Sequence, residues 1–148
     1  METKQMKKKL KCVLLIDDDF PTNCFNEMIV EDENVAEEIR VAQGGMEALE
    51  YLSNRGPYAS NGNTYPRPDL IFLDINMPAM NGWEFLEEYK KLPEEQKGKI
   101  VVIMLTASPN PDDEAKAKSI KEVSGFHNKP LTPIVLNEVI EEHFADHF

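Results

Sequence analysis

Residues 70–78 read Leu70-Ile71-Phe72-Leu73-Asp74-Ile75-Asn76-Met77-Pro78, with four apolar side chains in a row stopped by a carboxylate and a proline-bearing turn after it. A run this short and unbroken suits a strand covered on both faces, as strands of parallel sheets are. The same figure stands upstream at 12–16, cut off by Asp17, Asp18 and Asp19, and downstream at 100–105, ending in Thr106. Residues 125–128 form a shorter version ending in Lys129-Pro130, and residues 38–42 supply a further strand.

Between these runs the apolar spacing lengthens to the helical period. Pro21 suits a first helical turn, and Cys24, Phe25, Met28 and Ile29 then recur as a buried face until the acidic stretch 31–33. Gly44-Gly45 reads as a turn, followed by a helix with Met46, Leu49 and Leu52 on one face. Residues 82–91 carry Phe85, Leu86 and Tyr89 as a buried stripe, with Trp83 the one aromatic left toward solvent. Residues 112–122 have helical composition, and Val135, Leu136, Val139, Ile140 and Phe144 line a final amphipathic helix. Alternating strands and helices joined by right-handed crossovers predict an α/β fold: a doubly wound, five-stranded parallel sheet with helices on both faces.

The 148 residues suit one domain, expected over 10–148 behind a basic tail at 1–9, with residues 54–67 as an unusually long surface connection. No apolar stretch approaches the roughly 20 residues of a membrane-spanning helix, and nothing resembles a secretory leader. A net charge of -11 repels phosphate backbones, which argues against nucleic acid as a partner. Cys12 and Cys24 have neither redox nor metal-ligand spacing and are expected to be reduced core thiols in a cytoplasmic protein.

Ligands of open parallel sheets bind outside the carboxyl ends of the strands, so the residues that follow the apolar runs should share one surface. Those residues are Asp17, Asp18, Asp74, Thr106 and Lys129. Two like charges about 4 Å apart repel by roughly 4 kcal/mol at a surface-like dielectric, so three gathered carboxylates call for a cation or for protons. Magnesium meets that need with oxygen ligands, and Asp74 is the best placed nucleophile for a phosphoryl group. Thr106 and Lys129 would then stabilise the phosphoryl oxygens. Taken singly, each acid is more simply a helix cap; the set of five is what points to chemistry.

On residues 16–19, on Leu73-Asp74-Ile75-Asn76-Met77-Pro78 with Gly82, on Leu105-Thr106-Ala107 and on Lys129-Pro130, the chain resembles the receiver domains of two-component response regulators from about Cys12 to Phe144. That resemblance implies that Asp74 accepts phosphate from the phosphohistidine of a histidine kinase or a histidine phosphotransfer domain. It implies that Asp18 and Asp74 ligate Mg2+, with Mn2+ as a substitute, that Asp17 acts through a bound water, and that the backbone carbonyl of Asn76 adds a ligand. It makes Thr106 and Phe126 a switch pair, and Asn76 and Ser108 the positions that tune the phosphoryl lifetime, with the small Ser108 pointing to slow hydrolysis. A cis Lys129-Pro130 bond fits the same pattern.

The expected role is a phosphorylation-dependent signalling switch that changes affinity for an unidentified output protein, with a phosphorelay intermediate as the alternative. An aspartate-based phosphatase is a weaker reading, because those enzymes carry a second acid two residues after the nucleophile, where this chain has Asn76. His143 and His147, four apart on the last helix, lack a third partner for a metal site, and His127, expected on the opposite side of its strand from Phe126, is assigned no function.

Overall fold

The computed structural model describes residues 6–53, 55, 66–97, 100–107 and 110–148. Most of the long connection predicted at 54–67, and Ser108, lie outside the described residues.

The apolar runs form five parallel strands, β1 (Leu10–Ile16), β2 (Ala36–Ala42), β3 (Leu70–Asp74), β4 (Val101–Thr106) and β5 (Val123–Asn128), in the order β2-β1-β3-β4-β5. Every pairing is parallel, so all the carboxyl ends lie on one edge. Strand alternation divides the core into two layers. Leu14, Ile16, Ile71, Leu73, Val102 and Met104 face one side with Leu49, Leu52, Phe85 and Leu86. Val13, Leu15, Leu70, Phe72, Ile103 and Leu105 face the other with Val30, Leu136, Val139 and Ile140. The first layer is covered by α2 (Gly45–Ser53), α3 (Gly82–Lys90) and α5 (Pro111–Ser119), the second by α1 (Phe20–Glu33) and α6 (Pro133–His143). A four-residue helix, α4 (Glu94–Lys97), follows α3 and has no counterpart in the expected pattern.

Helix starts follow ordinary capping chemistry. Asp19 caps α1 by accepting from the Thr22 N–H at 3.0 Å and the Thr22 hydroxyl at 2.5 Å, so the third acid of the trio is a structural residue. Those bonds hold its carboxyl below the ordinary value. Asn81 and Glu84 close a reciprocal box at the start of α3, and Thr132 caps α6. The Lys7 and Lys8 backbone N–H groups donate to the His147 carbonyl at 2.7 and 3.1 Å, tying the first described residues to the last.

The face of α1 departs from the expected one. Asn23, Asn26 and Val30 are buried, whereas Cys24, Phe25 and Met28 are exposed. Cys24 is therefore a surface thiol, and only Cys12 is a core residue. The inward stripe lies on nearly the opposite side of the helix, about 160° from the apolar one. The reason is local: the Asn23 amide donates to the Asp17 carbonyl at 2.7 Å, and Val30 must meet the core. Met46 is likewise exposed at the start of α2, where Gly45, Ala48, Leu49, Tyr51 and Leu52 are buried instead. Trp83 is partly buried against the core, with the Lys116 ammonium 4.6 Å from its ring centroid.

Candidate phosphoryl-acceptor site

Parallel register carries the strand-end residues to one edge. Leu73 of β3 lies beside Ile16 of β1, so Asp74 and Asp17 leave neighbouring strands at the same level. Asp74 pairs with Leu105, and Thr106 follows one position on, opposite Asn128 of β5. Of the residues that the sequence singled out, Asp17 (3% exposed), Asp74 (6%) and Thr106 (1%) are buried, Lys129 is partly so, and Asp18 is open to solvent.

One carboxylate oxygen from each of Asp17, Asp18 and Asp74 lies within 4.8 Å of the others. The Lys129 ammonium enters between two of them, donating to Asp17 Oδ2 at 2.6 Å and lying 3.1 Å from Asp74 Oδ1. The second Asp17 oxygen accepts from the Asp19 N–H at 2.9 Å, which orients that carboxylate toward the cluster. Burial raises the pKa of Asp74 above the ordinary value, the neighbouring Asp17 charge adds to the rise, and Lys129 opposes both. For Lys129, burial works against the charge, but its hydrogen bonds to Asp17 and Asp74 outweigh that and raise its pKa. The ammonium thus stands where a cation is needed, and the carboxylates remain in excess.

Two backbone features set the mouth of the site. The Lys129-Pro130 peptide is cis, and the Lys129 N–H donates to the Thr106 carbonyl at 2.7 Å, so β4 fixes where the lysine leaves β5. On the other side, the Gly82 N–H donates to the Ile75 carbonyl at 2.8 Å. A Cβ on Gly82 would lie 2.7 Å from the Asp74 carbonyl oxygen and 3.0 Å from the Ile75 Cα. Both are backbone atoms, so α3 would have to retreat from the residues that follow the acceptor strand. Gly82→Ala is expected to cost about 2 kcal/mol, seen as a drop of several degrees in thermal midpoint. Gly44→Ala, where nothing lies within 4 Å of the added Cβ, should cost little. Equal midpoints for the two variants would defeat the steric argument.

Asn76 is exposed beside the acid cluster, and Phe126 lies on β5 beside Met104, partly buried against the first core layer. His127 is its neighbour on the strand and is partly buried, and His147 bonds the Lys8 carbonyl through Nδ1 at 2.9 Å. Asn23 was not foreseen. Its position two residues after Pro21, on the polar side of an apolar pattern, offers no signal in the sequence that it holds the Asp17 backbone.

Residues 13–141 match the family model of the response regulator receiver domain. The chain belongs to that family. Receiver domains are phosphoacceptor switches of two-component signalling, and they work with histidine kinases or phosphotransfer proteins and with output partners. Response regulator Rcp1 of Synechocystis sp. is 32% identical over 103 residues, which cover 70% of this chain and 66% of Rcp1. The chain spans smaller shares of the next two curated relatives, 28% and 7%. Among solved structures, a two-component response regulator from Cytophaga hutchinsonii superposes with a TM-score of 0.80 at 36% identity, covering 93% of this chain and 99% of that one. The Mn2+-bound form of Rcp1 superposes with a TM-score of 0.69 at 26% identity, covering 93% and 96%. The receiver fold, with its doubly wound parallel sheet, is that of the structure described above. Among the described residues, no helix is long and apolar enough to cross a membrane.

Proposed function

We propose that this receiver takes a phosphoryl group on Asp74 from a phosphohistidine and thereby changes its affinity for a protein partner in the cytoplasm. The observation that carries this reading is the junction of Asp17, Asp18 and Asp74 with the Lys129 ammonium at the carboxyl edge of the sheet. A carboxylate oxygen of Asp74 forms the new bond to phosphorus as the bond to the imidazole nitrogen breaks, and the leaving imidazole takes up a proton. Lys129, 3.1 Å from Asp74 Oδ1, is placed to neutralise a phosphoryl oxygen, and Thr106 at the end of β4 is placed to donate its hydroxyl to another.

The donor set fits a divalent ion. Three acceptor-only carboxylates lie within 4.8 Å of one another and face one ammonium, so negative charge is left over for a second cation. Asp18 and Asp74 would hold it directly, with Asp17 through water and the Asn76 carbonyl as a further ligand. When bound, Mg2+, or Mn2+ in its place, supplies charge neutralisation between the acceptor carboxylate and the incoming phosphoryl group. Rcp1 has been solved with manganese, which supports a similar choice of ion here.

Signal output would run through Thr106 and Phe126. A hydroxyl drawn toward the phosphoryl group vacates volume on β4, and the Phe126 ring on the adjacent strand is placed to fill it. The lifetime of the phosphoryl group would be tuned at Asn76, which is exposed, and at Ser108.

The test is direct. Incubation with acetyl phosphate and Mg2+ is expected to add one phosphoryl group, and borohydride reduction of the acyl phosphate followed by peptide mapping should place it at Asp74. Label without Mg2+, or at another residue, would overturn the assignment. Label that then passes to a histidine phosphotransfer domain would establish the relay variant over direct output.

A further inference from the structure

Asn23 occupies the buried stripe of α1 together with Asn26 and Val30, a place where an apolar side chain would ordinarily sit. It is 2% exposed. Its Nδ2 donates to the Asp17 carbonyl at 2.7 Å, and its Oδ1 has no hydrogen-bond partner. A carbonyl can only accept, so the amide nitrogen must face it and the orphaned atom is the oxygen. A buried acceptor without a donor is costly, and asparagine is a weak helix former as well. Stability alone gives no reason for an asparagine at this position. Its one side-chain bond, across to the acid-bearing loop, does.

The Asp17 carbonyl belongs to the peptide that joins Asp17 to Asp18, the two acids that follow β1. Asp17 is also held elsewhere. Its N–H donates to the Ala42 carbonyl at 3.2 Å, one carboxylate oxygen accepts from the Asp19 N–H at 2.9 Å, and the other accepts from Lys129 at 2.6 Å. Asp18 has no such support: it is open to solvent, and among the described residues no hydrogen bond reaches its carboxylate. Yet one of its oxygens lies within 4.8 Å of those of Asp17 and Asp74. Its direction is therefore set by the backbone on either side, by the peptide that Asn23 holds and by the next one, whose N–H donates to Asp17. A peptide unit turns as a rigid plane about its flanking ψ and φ angles. Release of the Asp17 carbonyl would let that plane turn and swing Asp18 away from the cluster.

We propose that Asn23 is a positioning residue for divalent-ion binding, a role that rests on the ion-binding reading given above. By fixing the peptide between Asp17 and Asp18, it aims the Asp18 carboxylate at the ion before the ion arrives. Groups that orient metal ligands from behind commonly change affinity by roughly ten- to hundredfold when removed. The lower end suits a site open to water on one side, as the exposure of Asp18 makes this one.

Asn23→Leu removes the donor and the orphaned acceptor at nearly constant shape. Mg2+ titration of the full chain, followed by nuclear magnetic resonance through the Asp18 and Asp19 amide signals, is expected to show binding about tenfold weaker than in wild type. The metal-free thermal midpoint should stay within a few degrees of wild type. Val30→Ala, at a fully buried position about two turns further along the same helix, should do the reverse, lowering the midpoint and leaving Mg2+ affinity unaltered. Equal Mg2+ affinity in Asn23→Leu and wild type would overturn the positioning role. An equal loss of affinity in Val30→Ala would overturn it too, by reducing the effect to a general loosening of α1. A wild-type chain that binds no Mg2+ would remove the ion site itself, and the role of Asn23 with it. The wild-type chain gives a second reading that does not depend on the variant folding. Coupling between the bond and the ion is reciprocal, so the Asn23 side-chain amide hydrogens should exchange with water more slowly once Mg2+ is bound. Exchange indifferent to Mg2+ would overturn the proposal.

Discussion

Asp74→Asn is expected to abolish phosphoryl labelling under conditions that label the wild-type protein, and at the same time to make the metal-free fold more stable at neutral pH. The first half follows from chemistry: a neutral amide is no nucleophile toward phosphorus, and the other buried carboxylate, Asp17, is committed to Lys129 and the Asp19 N–H. The second half follows from where the carboxylate sits. Burial and the Asp17 charge raise its pKa, so the folded protein disfavours the ionised form that the unfolded chain carries freely. Its favourable share is fully present below the ordinary value of 3.8 and is lost as pH rises through the raised folded value. Asparagine has the same shape and no such dependence. The advantage of Asp74→Asn in thermal midpoint should therefore be full at pH 7 in chelator and vanish as the pH falls toward 3.8. A variant less stable than wild type at pH 7 would contradict that electrostatic account, and residual label would contradict the acceptor assignment.

Lys129→Met is expected to separate two properties that a simple loss of fold would move together. The ammonium lies 2.6 and 3.1 Å from the carboxylates of Asp17 and Asp74, where it competes with any cation for the same oxygens. Removing it should raise Mg2+ affinity by roughly fivefold, since a charge contact in a water-like dielectric is worth about 1 kcal/mol. The labelling rate should fall by about 10²–10³, the usual cost of deleting a group that stabilises developing charge. The metal-free protein should also lose roughly 3 kcal/mol of stability, because two buried carboxylates are left facing each other, and added Mg2+ should restore most of it. Fluorescence titration with Mg2+, thermal melts with and without the ion, and the acetyl phosphate time course measure all three. Weaker Mg2+ binding together with slower labelling would mean that Lys129 supports the shape of the site and not its charge balance.

These expectations depend on a sheet edge that was legible before any coordinates. The runs ending at Asp17, Asp74 and Thr106 could be read as parallel strands because central strands of such a sheet are apolar on both faces and stop where solvent begins, whereas the edge strand before Lys129 carries a much weaker pattern. Helices α3 and α6 were equally legible, since Phe85, Leu86 and Tyr89, and Leu136, Val139 and Ile140, all face the core as their spacing requires. The face of α1 was not. Its apolar residues at Cys24, Phe25 and Met28 satisfy the helical period, but the helix is phased by Asp19 at its cap, by the bond from Asn23 to the Asp17 carbonyl, and by Val30. Periodicity reports that a stripe exists; the contacts at the helix start decide which way it points.

Residue order alone determined which groups arrive at the carboxyl edge, because a strand's direction and the alternation of its side chains are local properties of the backbone. Tertiary structure alone decided that Lys129 would reach across 112 positions to Asp17 as well as to Asp74, that Gly82 would have no room for a Cβ, and that a polar asparagine would be buried while phenylalanines faced water. Those outcomes depend on distances between segments remote in the chain. Such distances are set by how the layers pack around one core and are not encoded in the spacing of any one segment.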